Sequence, residues 1–426
     1  MPDNKGGWHR LDNTANLFPV ITSRRFSNVY RIAVTLDAAV EPELLQRALI
    51  EVLPEFAAFR VRLRRGLFWH YFETNPNEPI LYLEDDYPCR YIDPGQNRHF
   101  LFRLSYYENR VNLEVFHVLT DGTAGKDFLL AVVCRYLMLA HPAEYSEDDK
   151  ARKWFSGHAS NVEDGYLTNY TPSKKSNYRV GRGYKIKGER NLLGNLSVVH
   201  VHLGIDQLKT HCKQRQVTIT QYLTAVIGWA VCTQQRKAST RLPVNIFLPV
   251  NLRNMFDSGT ALNFFSNVYI SFEGDLSALT FEEILQEVKS QFEEKISKEG
   301  MLEKISYTTA QRSNPVVRVI PLLLKNAVLR LVFEMSAKSS TLSFTNLGPL
   351  RLPPQFERHV TGATLLLSCA PKEPFKCAAI SYKNDFTLNM SSTLRSVALQ
   401  RAIVRHLAED GLHVVVETNG VDYASM

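Results

Sequence analysis

An alternating strand that ends in a histidine is the strongest constraint on how this chain folds. Apolar and polar side chains alternate through residues 111–116, which is the two-residue period of a β-strand. His117 follows, and Asp121 with Gly122 completes the pattern His-x-x-x-Asp-Gly. The apolar stretch 127–139 then predicts a buried helix. The local order is therefore strand, loop and helix, with the histidine at the mouth of the strand.

This arrangement suits general-base chemistry. A neutral imidazole accepts a proton near pH 7, and Asp121 is close enough in sequence to brace the loop. Gly122 and Gly125 are expected to allow backbone angles that a side chain would oppose. The sequence contains no G-x-S-x-G, and no cysteine lies near His117, so nothing indicates a covalent nucleophile. The alternative is a structural histidine at a strand end, followed by an ordinary Asp-Gly turn.

Length and composition predict a globular protein of two domains. A chain of 426 residues exceeds the usual size of one core, and 45% hydrophobic residues suffice for two. The start of the sequence is polar and no uncharged run is long enough to span a bilayer, so we expect a cytoplasmic protein. Contact with the inner membrane face stays open. The six cysteines form no C-x-x-C pair, which disfavours a disulfide scaffold or a zinc site.

The chain is basic, with a net charge of +7 and a pI near 9.0. This charge allows an anionic partner such as a nucleotide cofactor, a lipid surface or nucleic acid. Nucleic acid is the least favoured because no recognised binding motif accompanies the basic residues. His200 and His202 share one face of a predicted strand, but without a third ligand nearby they favour a structural role over a metal site.

Two mixed halves are predicted, joined by a basic linker. We place the first half at residues 1–172, a crossover linker at 173–192 and the second half at 193–426. The linker carries Lys174, Lys175 and Arg179 among Gly, Ser, Asn and Tyr, and a solvated connection is favoured over phosphate or membrane contact. The alternating Arg60, Arg62 and Arg64 row predicts a solvated sheet face rather than an anion site.

The segment from Pro315 to Met335 is strongly apolar but is interrupted by Arg318, Lys325 and Arg330. Pro321 is expected to kink it. A buried helix is favoured over a membrane span, and an interfacial helix against anionic lipid is the open alternative.

Four segments, in order, resemble the coenzyme A-dependent acyltransferase superfamily, which includes chloramphenicol acetyltransferase and the condensation domains of peptide synthetases. They are the opening Trp8–Phe18, the motif His117–Gly122, Pro249–Arg253 and Ser343–Gly348. Within the superfamily, the chain looks most like stand-alone bacterial alcohol acetyltransferases and polyketide-associated acyltransferases.

The resemblance implies an α+β fold of two chloramphenicol-acetyltransferase-like halves, each a mixed sheet flanked by helices, with an active-site tunnel between them. His117 would be the general base, and Asp121 would pair with Arg253 to shape the loop beside Gly122. Thr345 and Asn346 would be candidate contacts for the oxyanion or the acceptor.

It also implies acyl-CoA as co-substrate, or an acyl carrier protein as the alternative donor, and an alcohol or amine as acceptor. No permanently bound cofactor or metal is expected, and a monomer is the default. Two departures from the patterns of this superfamily narrow the range of expected reactions and acceptors. Phe116 stands where condensation domains carry an additional histidine, and the plant-type D-F-G-W-G is absent. A non-catalytic binding protein of the same fold and a lipid-surface protein are the competing interpretations.

Overall fold

In its described residues the chain forms three β-sheets, and helices pack on two of them. The computed structural model describes residues 7–145, 161–171, 181–191, 195–235, 242–274, 279–313 and 319–420. Within these ranges the strands are β1 (Trp8–Arg10), β2 (Val29–Leu36), β3 (Val61–Arg65), β4 (His70–Thr74), β5 (Leu81–Leu83), β6 (Phe102–Tyr107), β7 (Arg110–Phe116), β8 (Ser197–Gly204), β9 (Val244–Asn251), β10 (Phe265–Phe272), β11 (Leu342–Pro349), β12 (Val360–Leu367), β13 (Phe375–Tyr382), β14 (Asp385–Ser392) and β15 (Val414–Thr418).

The helices vary from single turns to five turns in length. In the same ranges they are α1 (Phe18–Ile21), α2 (Pro42–Val52), α3 (Gly122–Ala140), α4 (Gly165–Thr168), α5 (Ile205–Gln214), α6 (Ile219–Gln235), α7 (Arg253–Phe256), α8 (Phe281–Lys295), α9 (Lys298–Ser313), α10 (Leu322–Ser336) and α11 (Ala398–Glu409), with 3-10 turns at Leu53–Glu55 and Pro354–His359.

The first large sheet has five strands in the order β12-β2-β7-β6-β5. All neighbours are antiparallel except β5 and β6, which are parallel. Leu113 and Val115 of β7 are buried in the core that also holds the apolar residues of α2 and α3. Asn112 and Glu114, on the other face, are also fully buried, so the predicted alternation is present but does not divide core from solvent.

The second large sheet has seven strands in the order β10-β9-β11-β13-β14-β8-β15. The pairs β9–β11 and β11–β13 are parallel and the others are antiparallel. Apolar residues of α6, α8 and α11 share its core. Both large sheets are therefore mixed and carry helices, which confirms the predicted α+β class.

One strand of the sequence-predicted second half joins the sheet of the first half. Strand β12 lies beyond residue 193, yet it pairs with β2 in the sheet that leads to His117. Much of the predicted basic linker, including Lys174, Lys175 and Arg179, lies outside the described residues. The boundaries at 172 and 193 stay a prediction.

Two local expectations were wrong. Helix α3 begins at Gly122, five residues before the predicted start, because Asp121 caps it by accepting a hydrogen bond from the Thr123 amide at 3.1 Å. Pro321 does not kink a helix but precedes the start of α10. The arginine row lies on a solvent-accessible face of the third sheet, β1-β4-β3, as predicted, and Arg62 and Arg64 both donate there to Glu73.

The buried-helix interpretation of residues 315–335 was also wrong. Helix α10 buries Leu322 and Lys325, whereas most of its other apolar side chains are exposed. In the described part of the chain no helix combines the length and the hydropathy needed to cross a bilayer.

Candidate active site

His117 lies at the end of β7, between the aromatic side chains of two other elements. Its amide donates to the Asn28 carbonyl at 2.9 Å, which continues the pairing of β7 with β2. The imidazole stacks on Phe18 of α1, with ring centroids 4.8 Å apart and planes 18° apart. Tyr30 meets the ring edge-on at 5.2 Å. These contacts fix the orientation of a half-buried imidazole.

Asp121 is engaged by Arg253 rather than by the histidine. One carboxylate oxygen caps α3, and the other accepts from Arg253 Nη1 at 2.7 Å and from the Phe264 amide at 3.0 Å. Arg253 is buried and also donates to the carbonyls of Thr260 and Leu262. The structure thus brings Asp121 and Arg253 together in a buried ion pair that fixes the start of α3 against the second half.

Asn263 contacts the imidazole, and Asp12 orients Asn263. The Asn263 side-chain nitrogen donates to Asp12 Oδ2 at 2.9 Å and to the His117 carbonyl at 3.2 Å. Its oxygen therefore faces His117 Nδ1, 3.0 Å away, and acts as the acceptor. This arrangement places the proton of neutral His117 on Nδ1 and leaves the lone pair on Nε2.

The surroundings of His117 favour the neutral imidazole. Burial lowers the pKa of His117 below its ordinary value of 6.5. The Asp121 carboxylate and the hydrogen bonds to Asn263 and to the histidine's own carbonyl act in the opposite direction, but the net shift is downward. Near pH 7 the side chain is therefore a base with a free lone pair.

Gly122 and Gly125 are small for steric reasons, not for their backbone angles. Neither has a positive φ, so the sequence-based reason for them was wrong. A Cβ on Gly125 would lie 2.5 Å from the Tyr30 hydroxyl, and one on Gly122 would lie 3.1 Å from Leu347 Cδ1. The Tyr30 hydroxyl donates to the Asp121 carbonyl at 2.8 Å. Gly125 thus makes room for the tyrosine that packs on His117.

A cavity of about 260 Å³ lies beside His117 and is lined by both halves of the chain. Thr345 and Asn346 of β11 line it together with the motif residues Asp121 and Gly122. Asn346 is held by its own half, since it donates to Thr220 and accepts from the Gly348 amide. The half-buried Thr345 hydroxyl has no hydrogen bond to any described residue. Of the two predicted contacts, Thr345 is the better available donor.

One wall of the cavity is charged. Lys376 of β13 lines it and lies 3.6 Å from Glu373 Oε2, which also accepts from the Ser343 hydroxyl at 3.0 Å. About half of the lining residues are aromatic or aliphatic, among them Phe18 and Phe265, and most of the others carry polar side chains. A cavity that combines apolar walls with polar groups is typical of a site for an organic substrate.

The histidine clusters elsewhere are occupied by protein contacts. His141, Glu144 and His359 are close enough to hold a metal ion, but the two imidazoles stack in parallel and Glu144 pairs with Arg358. His359 is also 3.1 Å from Asp37. His200 and His202 contact Asn389 and Asp385 respectively, in line with a structural role. All six cysteines are buried free thiols.

Sequence reasoning missed Asp12 and Asn263. Asp12 lies in the opening segment that carried part of the resemblance, but nothing in its spacing marks it as a partner of the histidine. Asn263 lies in the Asn- and Gly-containing loop between β9 and β10. The only available signal was that this loop follows Arg253, the predicted partner of Asp121.

No protein family and no curated protein matches this chain by sequence. Solved structures share its fold. A trichothecene 15-O-acetyltransferase from Fusarium sporotrichioides aligns with a TM-score of 0.61 and 12% identity, over 95% of this chain and 94% of that one. A mutant starter condensation domain of rhizomide synthetase, in complex with C8-CoA and Leu-SNAC, gives 0.60 and 11%, over 96% and 97%. Polyketide synthase associated protein 5 from Mycobacterium tuberculosis gives 0.54 and 12%, over 93% and 96%. The chain therefore has the two-lobed fold of acyltransferases and condensation domains, as the sequence predicted.

Proposed function

We propose that this protein transfers an acyl group from an acyl-CoA thioester to an alcohol or amine, with His117 as general base. The observation that carries the proposal is the imidazole itself. Its Nδ1 is committed to Asn263, its pKa is lowered and its ring lines a cavity between the two halves. A base in this state is suited to take a proton from a hydroxyl or an amine.

In the proposed reaction Nε2 of His117 removes the acceptor proton as the acceptor oxygen or nitrogen attacks the thioester carbonyl carbon. The carbonyl electron pair moves to oxygen and gives a tetrahedral intermediate. When that intermediate collapses, the carbon–sulfur bond breaks and the leaving thiolate takes the proton back from the imidazolium. No covalent enzyme intermediate forms, and His117 is neutral again after each turnover.

The developing oxyanion needs a donor that is already in position. We assign this role to the Thr345 hydroxyl, which lines the cavity and has no hydrogen bond to a described residue. The backbone at Gly122, at the positive end of α3, is the second candidate. Asp121 and Arg253 act as positioning residues, because their ion pair holds the loop between β7 and α3.

The fold also occurs in condensation domains, so an acyl carrier protein stays an alternative donor and an amine an alternative acceptor. A non-catalytic binding protein of the same fold is the competing function. A free, neutral imidazole facing a cavity argues against it, because a binding module has no use for a base there.

The test is thiol release from acetyl-CoA and longer acyl-CoA donors with a panel of alcohols and amines. We expect acceptor-dependent release by the wild type and its loss, by about 10²–10⁴-fold, in His117→Ala. His413→Ala removes an exposed histidine and is the matched control. Equal release by wild type and His117→Ala would contradict the mechanism. Release by neither, with purified carrier-protein donors also inactive, would favour the binding protein.

A further inference from the structure

Helix α10 presents a concentrated apolar surface that no described element covers. Of the eighteen large hydrophobic side chains exposed in the described chain, eight belong to this surface and are 56–72% exposed. They are Leu67, Val319, Leu323, Leu324, Val328, Leu331, Val332 and Met335. Contiguous exposed apolar surface of this kind marks a protein or membrane interaction site. We call this set the α10 surface.

The α10 surface is held in place by its own contacts. The Leu322 amide donates to the Leu67 carbonyl at 2.8 Å, which joins the helix to the tip of the β3–β4 hairpin. Lys325 Nζ donates to the Phe68 carbonyl at 3.0 Å and lies 3.4 Å from the centroid of the Trp69 ring. The hairpin tip and the helix therefore present their apolar side chains as one surface.

Arginines without an ion pair to a described residue lie on α10 and in the segments that contact it. Arg24 and Arg25 lie in the turn that Ser23 and Phe26 close, and Phe26 stacks on Phe333 of α10 with centroids 6.1 Å apart. Arg65 precedes the hairpin tip and Arg330 lies on the helix. All four are exposed, and none makes an ion pair with a described residue. The acidic residue of the helix, Glu334, is neutralised by Lys372.

We propose that the α10 surface docks the protein on an anionic lipid bilayer. An amphipathic helix with an apolar face and basic residues around it suits the interface of such a bilayer. A second copy of the chain is a poorer occupant, because a two-fold interface would bring the same unpaired arginines together. A peptide-binding groove is disfavoured because these side chains are so highly exposed, which marks a projecting surface rather than a concave one.

Docking there would place the bilayer next to the cavity. Helix α10 packs against α1, whose Phe18 stacks on His117, and Phe26 lies beneath the Lys376 ammonium at 5.6 Å. This further step rests on the proposed function: the acceptor or the acyl chain would be an amphiphile that partitions into the membrane. Vesicle binding itself needs no turnover, so the docking test does not depend on the reaction.

The experiment is flotation of the full chain with vesicles of phosphatidylcholine alone or with phosphatidylglycerol. We expect binding to the anionic vesicles, weakened at high salt. The double variant Leu324→Ser/Leu331→Ser should weaken it by at least about tenfold. The triple variant Arg24→Gln/Arg25→Gln/Arg330→Gln should weaken it by roughly fivefold for each arginine. His117→Ala should bind like the wild type.

The matched control is Leu83→Ser/Leu167→Ser, which removes two leucines that are 59% and 45% exposed elsewhere on the molecule. It should bind vesicles like the wild type, and circular dichroism should show that every variant is folded. Vesicle binding by Leu324→Ser/Leu331→Ser equal to that of the wild type would overturn the proposal. Failure of the wild type to bind any vesicle would also overturn it. In that case analytical sedimentation would show whether the α10 surface mediates self-association instead.

Discussion

Two buried carboxylates seven residues apart serve different parts of this molecule. Glu114 lies within β7 and Asp121 just beyond its end, and each accepts hydrogen bonds from a buried arginine. The arginine partners of Glu114 belong to the same sheet, whereas the arginine partner of Asp121 comes from the second half. The first carboxylate therefore stabilises one sheet, and the second joins the two halves beside the cavity.

The strand register explains the Glu114 network. Arg31 of β2 and Arg103 of β6 lie directly opposite Glu114 on either side of β7. Glu114 Oε1 accepts from Arg31 Nε at 2.9 Å and Oε2 accepts from Arg103 Nε at 3.0 Å, and Glu114 is fully buried. Burial alone would raise the pKa of Glu114, but the two guanidinium groups outweigh it and the pKa is lowered.

The largest effect is expected from Glu114→Ala. It leaves the buried charge of Arg31 with Glu84 as its remaining partner, and breaking a buried pair costs about 3–5 kcal/mol. The free energy of unfolding, measured by urea denaturation, should fall by that amount while kcat per folded molecule is unchanged. Glu51→Gln, which breaks a more exposed pair with Arg135, is the control and should cost less than about 1 kcal/mol. Equal losses in the two variants would contradict the comparison.

Asp121→Asn should lower the free energy of unfolding less than Glu114→Ala does, and it should lower kcat more. Arg253 keeps its bonds to the carbonyls of Thr260 and Leu262, so we expect a loss of about 1.5–3 kcal/mol, the value of a hydrogen bond to a charged group. The loop that carries His117 should shift, and kcat should fall although the carboxylate makes no described hydrogen bond to the imidazole. Urea denaturation and thiol release measure the two effects. Unchanged kcat in a destabilised Asp121→Asn protein would show that the ion pair serves folding alone.

The sequence predicted the place of Asp121 beside His117, but it did not predict that Glu114 is buried. The period of β7 and the motif after it are local signals, so the strand, His117 and Asp121 could be placed from neighbouring residues. Burial of Glu114 could not, because it depends on Arg31 and Arg103 arriving from other strands in register. An alternating pattern predicts a strand with one solvent-exposed face. Only the tertiary structure shows that both faces of β7 are buried.

The sequence also failed to predict the contacts between distant residues and the exposure of α10. Asp12 and Asn263 are 251 positions apart in the sequence. They come into contact only when the segment that follows β1 packs against the second half. The apolar sequence of α10 predicted burial, because hydropathy reports what a helix face prefers and not whether a partner covers it. The predicted fold class was nevertheless correct, because it depends only on the types of the secondary-structure elements and on their order.

Asn263→Ala tests a second link between the halves. Without the amide oxygen, His117 Nδ1 loses the acceptor that fixes its tautomer, so a larger share of the imidazole carries its proton on Nε2. We expect kcat to fall by roughly tenfold to a hundredfold, within the range that general-base catalysis contributes, with KM little changed. Asn267→Ala, at an exposed position of β10, is the control. Wild-type kcat in Asn263→Ala would show that the ring contacts alone position the base.

The smallest effect is a shift along the pH axis. Because the pKa of His117 is lowered, wild-type kcat/KM should fall only below pH 6.5, where the imidazole takes up a proton. Acid unfolding is a separate limb, since the stability from Glu114, whose pKa is depressed, is present above 4.5 and is lost as the pH falls further. The hydrogen bond to Asn263 raises the pKa of His117, so the activity limb of Asn263→Ala should move to still lower pH. Parallel pH profiles of thiol release and circular dichroism would measure both limbs. A wild-type activity limb above 6.5 would contradict the assignment of His117 as the group whose protonation controls the rate.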